Sequence, residues 1–188
     1  VAISDENSPL IIRAQSGEFG NWLTTSDEIG GRFSSLSGFG FLPASLMNVD
    51  PVELLRRAEV MVVACREDSI VNPGLILGNI LGANAAVGRN KVTMFTSPGL
   101  EAFALWAEQL VAESTGKNGS GLIPIMGEPR LPTETYGMDR NFIYLRSSDT
   151  DNKETDDFAE AIEDLNPLWV ENTLDRNNPS PNILAPPT

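Results

Sequence analysis

Histidine is absent from the 188 residues, and cysteine occurs once, at Cys65. Without histidine, the commonest general base near neutral pH and the imidazole ligands of a zinc site are both excluded, and no metal site is expected. A lone cysteine cannot form an internal disulfide; inside an apolar run, Cys65 is expected to be a buried packing residue. Positive charge is also scarce, with 13 Lys and Arg against 26 Asp and Glu, a net charge of −13. That balance argues against nucleic acid as a partner, since binding it needs a basic surface. It also requires any anionic ligand to be held by local cations or backbone N–H groups. Long hydrophobic runs are missing: the most apolar stretch, residues 75–87, is too short to span a bilayer and carries Asn79 and Asn84. No signal peptide is evident at the amino end, so the expectation is a soluble cytoplasmic protein with no membrane partner.

What remains is ordinary for a globular chain, and the length suits one domain with a sizeable core. Residues 1–19 read as a linker or edge segment, in which Leu10-Ile11-Ile12 is an edge strand or a linker remnant. Asn21 to Glu28 reads as a loop leading to Gly30-Gly31-Arg32. Paired glycines allow close backbone approach to a ligand, and Arg32 offers a permanently charged fork suited to an oxyanion. Phe33 to Met47, interrupted by Gly38, Gly40 and Pro43, is expected to be a buried, kinked helix. Asp50-Pro51-Val52-Glu53 carries a cap, a first-turn proline and an acid three residues on, which predicts a helix to about Arg66. Its expected inward face is Leu54, Leu55, Ala58, Met61, Val62 and Cys65. A further helix runs from Asn72-Pro73 to Gly88, with Gly74, Gly78, Gly82 and Ala86 along one edge, read as a site of tight packing.

Strands are expected near 91–96, 122–126 and 142–146, with a last one at Leu168-Trp169-Val170. Helices alternate with them, notably one starting after Ser97-Pro98-Gly99 and one over Asp156–Leu165. Ser97 is read as the cap of the former helix. The fold class that follows is α/β, a doubly wound, mostly parallel sheet flanked by helices, occupying residues 20–176. Residues 177–188 are read as an extended or disordered tail.

The helix after Ser97 carries the sharpest chemical signal. Leu100, Phe103, Ala104, Ala107, Leu110 and Val111 form one apolar stripe, and Gln109 and Glu113 sit one turn apart beside it. Gly116 is expected to end the helix in the left-handed conformation, followed by Lys117 and a flexible Gly119-Ser120-Gly121. A carboxylate in a last helical turn faces the negative end of the dipole. A solvated glutamate at a helix end and a proton-transfer group both fit this spacing.

The wording of that stretch, Gln109 with Ala112-Glu113-Ser114-Thr115-Gly116-Lys117, resembles the catalytic-base segment of glucose-6-phosphate isomerases. The likeness extends to Ile29-Gly30-Gly31-Arg32-Phe33-Ser34, Asn72-Pro73-Gly74, Thr96-Ser97-Pro98-Gly99-Leu100-Glu101-Ala102-Phe103 and Gly127-Glu128-Pro129, in family order over about residues 20 to 146. It looks nearest to the isomerase part of bifunctional transaldolase/glucose-6-phosphate isomerases. The resemblance implies a carboxy-terminal sugar isomerase domain, a flavodoxin-like three-layer sandwich. It also implies interconversion of glucose 6-phosphate and fructose 6-phosphate through an enediolate, with no cofactor. By resemblance Glu113 is the catalytic base and Arg32 stabilises the enediolate, while Gly31 and Gln109 hold the substrate. The family's amino-terminal domain with its phosphate loop, its ring-opening His and its substrate-facing Lys have no counterpart here. Association with an amino-terminal isomerase domain, or a homodimer, is therefore expected. The alternative is a non-catalytic sugar-phosphate binding or assembly module.

Overall fold

The computed structural model describes residues 1–165 and the backbone of segments 168–172 and 182–184. It divides into two units, residues 1–59 and 60–188.

In the first unit, β1 (Ala2–Asp5) pairs in parallel with β2 (Trp22–Thr25), in register from Ala2↔Trp22 to Asp5↔Thr25. The segment expected to be a loop thus contains a strand. The Leu10–Ile12 run between the strands is helical and not an edge strand. Ser8 Oγ accepts from Ile11 N at 3.2 Å and Pro9 fills the first position of α1 (Pro9–Arg13), a serine-proline start that outweighs the β-branched composition. A 3₁₀ turn follows over Gly31–Leu36, then α2 (Gly38–Leu46). The single buried helix expected here is therefore two helices, and no residue of either is buried. Gly40 is needed because a Cβ there would lie 1.9 Å from Ser35 O, where α2 folds back on the turn.

Helix α3 (Pro51–Arg66) starts as its sequence predicts, with Asp50 Oδ1 accepting from Val52 N at 2.9 Å. Hydrogen bonds from Arg56 and then Arg57 hold the Glu53 carboxyl down at about 2. The expected inward face is only partly covered. Leu54, Ala58 and Met61 are half-buried, whereas Leu55, Val62 and Cys65 are exposed. Cys65 is thus not a buried packing residue; its Sγ lies 3.6 Å from Met61 Sδ on its own helix.

The second unit grows from its strands. α4 (Pro73–Ala86) begins at Asn72, whose Oδ1 caps Leu75 N at 3.1 Å. The Asn72 Nδ2 donates to the carbonyls of Cys65 and Glu67, closing the end of α3 as well. The small-residue edge does not pack as expected. Among the described residues a Cβ at Gly78 or Gly82 would meet nothing within 4 Å, whereas one at Gly74 would lie 3.3 Å from both Asn72 Oδ1 and Cys65 Sγ. Strands β3 (Lys91–Thr96), β4 (Ile123–Met126), β5 (Arg140–Ser147), β6 (Leu168–Asn172) and β7 (Asn182–Leu184) form one sheet in the order β4-β3-β5-β6-β7. All pairings are parallel except β6–β7. β7 falls within the expected tail; the rest of that tail lies outside the described residues.

Strand alternation sorts the core into two faces. Val92 and Ile143, with Met94, pack against Leu77 and Leu81 of α4. Phe142 and Phe95 meet Tyr136, Phe158 and Ile162, with Phe95 stacked on Tyr144 at 4.9 Å. Helix α5 (Glu101–Thr115) joins β3 to β4, and α6 (Lys153–Ala161) joins β5 to β6 in the opposite direction along the sheet. Right-handed crossovers then put α5 and α6 on opposite faces, the doubly wound arrangement. β4, the strand that its sequence predicts near 122–126, is the sheet edge. Ile123 is exposed, and Pro124, which has no N–H to donate, is tolerated there.

Candidate functional site

Helix α5 presents the residues singled out in the sequence. Ala104 and Ala107 are buried against the sheet, with Leu100, Leu110 and Val111 half-buried, while Phe103 turns outward. Gln109 and Glu113 share the adjoining exposed face, and Gln109 Nε2 donates to Glu113 Oε1 at 3.1 Å. The i, i+4 spacing therefore produces a direct contact that fixes where one carboxylate oxygen points.

The helix end differs from its expectation. Gly116 has φ −74°, not a left-handed value. Glycine is needed there because a Cβ would stand 2.7 Å from Ala112 O. The positive φ values fall on Asn118 (55°) and Gly119 (76°). Lys117 and Ser120 exchange backbone hydrogen bonds of 3.0 Å across them, so residues 117–120 form a type I′ turn, not a flexible loop. The Asn118-Gly119 pair is a strong sequence signal for that turn, outweighed in the sequence by the apparent flexibility of Gly119-Ser120-Gly121. Lys117 Nζ reaches Glu113 O at 3.4 Å, a cation at the negative end of the helix.

Gly31 and Arg32 open the 3₁₀ turn of the first unit, with Ser34 Oγ donating to Gly31 O at 2.7 Å. Gly31 is exposed, and a Cβ there would meet nothing within 4 Å, so the backbone is open to approach from that side. The Arg32 guanidinium lies 4.8 Å from the Phe33 ring centroid. The Gly31–Arg32 and Gln109–Glu113 pairs belong to different units.

Two further polar clusters carry no signal in the sequence. Ser97 is buried and is not the cap of α5, whose cap position is Leu100. Instead its Oγ accepts from Ser147 N at 2.8 Å and its N–H donates to Leu145 O, tying β3 to β5 where the sheet reverses its winding. Beside it, Tyr144 and Arg146 both donate to Asp156, at 2.8 and 3.1 Å. Burial, then the bond to Asp156, pushes the Tyr144 phenol up to about 12. Outside the carboxyl ends of β3 and β4 lies a cleft of about 270 Å³, lined in part by Thr96, Glu101, Leu105, Glu128 and Arg130. Its charges are already engaged. Glu128 pairs with Arg140, Arg130 binds Thr155 and Glu154, and Glu101 accepts from Gly99 N. Neither Gln109 nor Glu113 lines it. At 1.5 Å per residue, Glu113 stands about 18 Å further along α5 than Glu101. Among the described residues there is no group of three metal-ligating side chains and no helix long and apolar enough to cross a membrane.

Comparison with known proteins places part of the chain beside one enzyme family. The chain is 36% identical over 104 residues to a probable glucose-6-phosphate isomerase of Methanococcus maripaludis. It is 38% identical over 106 residues to the glucose-6-phosphate isomerase of Rubrobacter xylanophilus, and 37% over 124 residues to that of a Cyanothece species. About half of this chain is homologous to part of the glucose-6-phosphate isomerases. The alignments cover 53%, 54% and 62% of the chain but only 23%, 24% and 23% of those relatives, so it spans about a quarter of their length. No protein-family model matches it. A hypothetical protein of Thermus thermophilus superposes with a TM-score of 0.74 at 18% identity, covering 89% of this chain and 50% of that one, which supports the doubly wound fold. The doubly wound, mostly parallel α/β fold expected from the sequence is therefore present.

Proposed function

We propose that this chain is a carboxy-terminal part of a glucose-6-phosphate isomerase, acting in the cytoplasm on glucose 6-phosphate and fructose 6-phosphate. In this reading Glu113 removes a proton from one of the two neighbouring sugar carbons and returns it to the other. One carboxylate can do both because the enediolate keeps C1 and C2 side by side. Arg32 stabilises the negative charge that develops on the enediolate oxygens, the stage at which binding energy lowers the barrier. Gln109 and Gly31 hold the sugar. An amino-terminal isomerase domain supplies the phosphate contacts and ring opening. The observation that carries the reading is the exposed Gln109–Glu113 pair on an ordered helix end, in a chain about half of which is homologous to the isomerases.

A non-catalytic sugar-phosphate binding or assembly module is the second reading. It is favoured by the absence of histidine. A coupled assay with fructose 6-phosphate, run with and without an amino-terminal isomerase domain, separates the two. Turnover that falls about 100- to 10,000-fold in Glu113→Gln is the expected result, the range for losing a general base. Sugar-phosphate binding without turnover under either condition would establish the module instead.

A further inference from the structure

The carboxyl end of an α-helix is ordinarily its least ordered part, because its last four carbonyls lack helical partners and its last turn frays. A side chain asked to meet a reacting carbon is badly placed there unless something else fixes the backbone. The end of α5 is fixed from several directions at once. Thr115 Oγ1 donates back to Val111 O at 2.9 Å and accepts from Leu122 N at 3.0 Å, so one hydroxyl joins the last helical turn to the residue that leads into β4. The type I′ turn at Asn118-Gly119 sends the chain back under the helix. There Gly121, at φ 140°, passes so close that a Cβ would lie 2.6 Å from Thr115 O and 2.8 Å from Gly116 Cα. Gly116 N closes on Ala112 O at 2.9 Å, and Lys117 N donates to both Thr115 O and Ser120 O. None of these residues is buried, and of them only Leu122 packs at the margin of the Leu81, Val92 and Ile143 cluster. Their common effect is to hold residues 112–117 in one place relative to the start of β4.

We propose that Thr115, locked between Val111 O and Leu122 N and backed by the close passage of Gly121, is a positioning residue that fixes the helix turn presenting Glu113 and Gln109. The proposal rests on the role assigned above to Glu113 and goes beyond it, since it concerns the backbone that carries that residue and not the group that meets the sugar. Losing the hydroxyl frees Leu122 N and Val111 O to bond with water, lets the last turn of α5 fray, and spreads the Glu113 carboxylate over several orientations. Overall folding is little affected, because the sheet and its two apolar faces do not involve Thr115.

The test compares Thr115→Val, which keeps the shape and removes the hydroxyl, with Thr115→Ser, which keeps the hydroxyl, in the full chain. Amide exchange at Gly116, Lys117 and Leu122 is followed by NMR, together with the Gln109 side-chain amide resonance as Glu113 is titrated. Thr115→Val is expected to speed exchange at those three amides about tenfold, the scale of a lost hydrogen bond or two. It is also expected to flatten the response of the Gln109 amide to titration, while exchange in β3 and β5 is unchanged and Thr115→Ser restores both signals. Where turnover is measurable, kcat falls in Thr115→Val with KM held, and Thr115→Ser recovers it. Unchanged exchange and an unchanged Gln109 response in Thr115→Val would overturn the proposal, as would wild-type kcat in a variant whose helix end has loosened. Glu113→Gln is the separate control. If it retains full turnover, the role of Glu113 fails, while the exchange and amide signals still judge the lock.

Discussion

Residues 1–59 and residues 60–188 carry candidate site residues of similar exposure on very different foundations. In the first unit the buried apolar side chains are Ala2, Ile11 and Ala14, and Trp22, Phe33 and Leu36 are exposed. In the second, Phe142, Tyr144, Ile143, Val92 and Ile162 are all buried at 3% exposure or less, on two faces of a five-stranded sheet. A two-stranded sheet of four-residue strands is marginal alone, whereas a parallel sheet covered on both faces is self-sustaining. Glu113 and Gln109 therefore ride on a helix anchored to a real core. Arg32 and Gly31 ride on a short 3₁₀ turn with little buried beneath it.

That contrast can be broken or sharpened by mutation. The largest effect is expected from Phe142→Ala, which empties a fully buried site and should cost about 3–5 kcal/mol in denaturant unfolding. A loss under about 1 kcal/mol would show that the second unit is not the stabilising one. Asp156→Asn comes next. Burial pushes the Asp156 carboxyl up, but hydrogen bonds from Arg146 and Tyr144 more than offset this and hold it below the ordinary carboxylate range. A carboxyl lowered in the folded state contributes stability that is complete above its unfolded pKa, near about 4, and is lost as pH falls through the folded value. Asp156→Asn should cost about 1.5–3 kcal/mol near neutral pH and make the acid limb of the stability profile shallower. An unaltered acid limb would remove Asp156 from the groups that govern acid stability. Phe33→Ala is expected to have the smallest effect, within about 0.5 kcal/mol, as for other exposed positions. A loss above about 2 kcal/mol would mean the first unit has a core that the burial pattern does not reveal.

Legibility in the sequence followed the same division. α5 and α6 were readable from periodicity, and α3 and α4 from their caps at Asp50 and Asn72; β3 and β5 were readable from runs of β-branched and aromatic residues. These signals are local and reinforced by burial. In the first unit they misled, because Trp22–Thr25 is largely exposed and shows no clean alternation. Ser8-Pro9 decided for helix where Leu10–Ile12 suggested strand. Cys65 and Gly78 were assigned to packed surfaces on the assumption that an apolar or small-residue face finds a cover, and in this structure those positions are open. At the candidate site, the spacing of Gln109 and Glu113 correctly implied a shared face. The lock on their helix end was missed because Thr115 acts through two backbone groups, one of them seven residues ahead, and no side-chain pattern records such bonds.

Proton transfer by Glu113 is measured most directly by the entry of solvent deuterium at C2 of glucose 6-phosphate when fructose 6-phosphate is incubated in D₂O, with an amino-terminal isomerase domain present. Deuterium is expected at that carbon with the wild-type chain and none above background with Glu113→Gln. Equal incorporation by the two would show that another group moves the proton, and Glu113 would be only a solvated acid at the end of a helix.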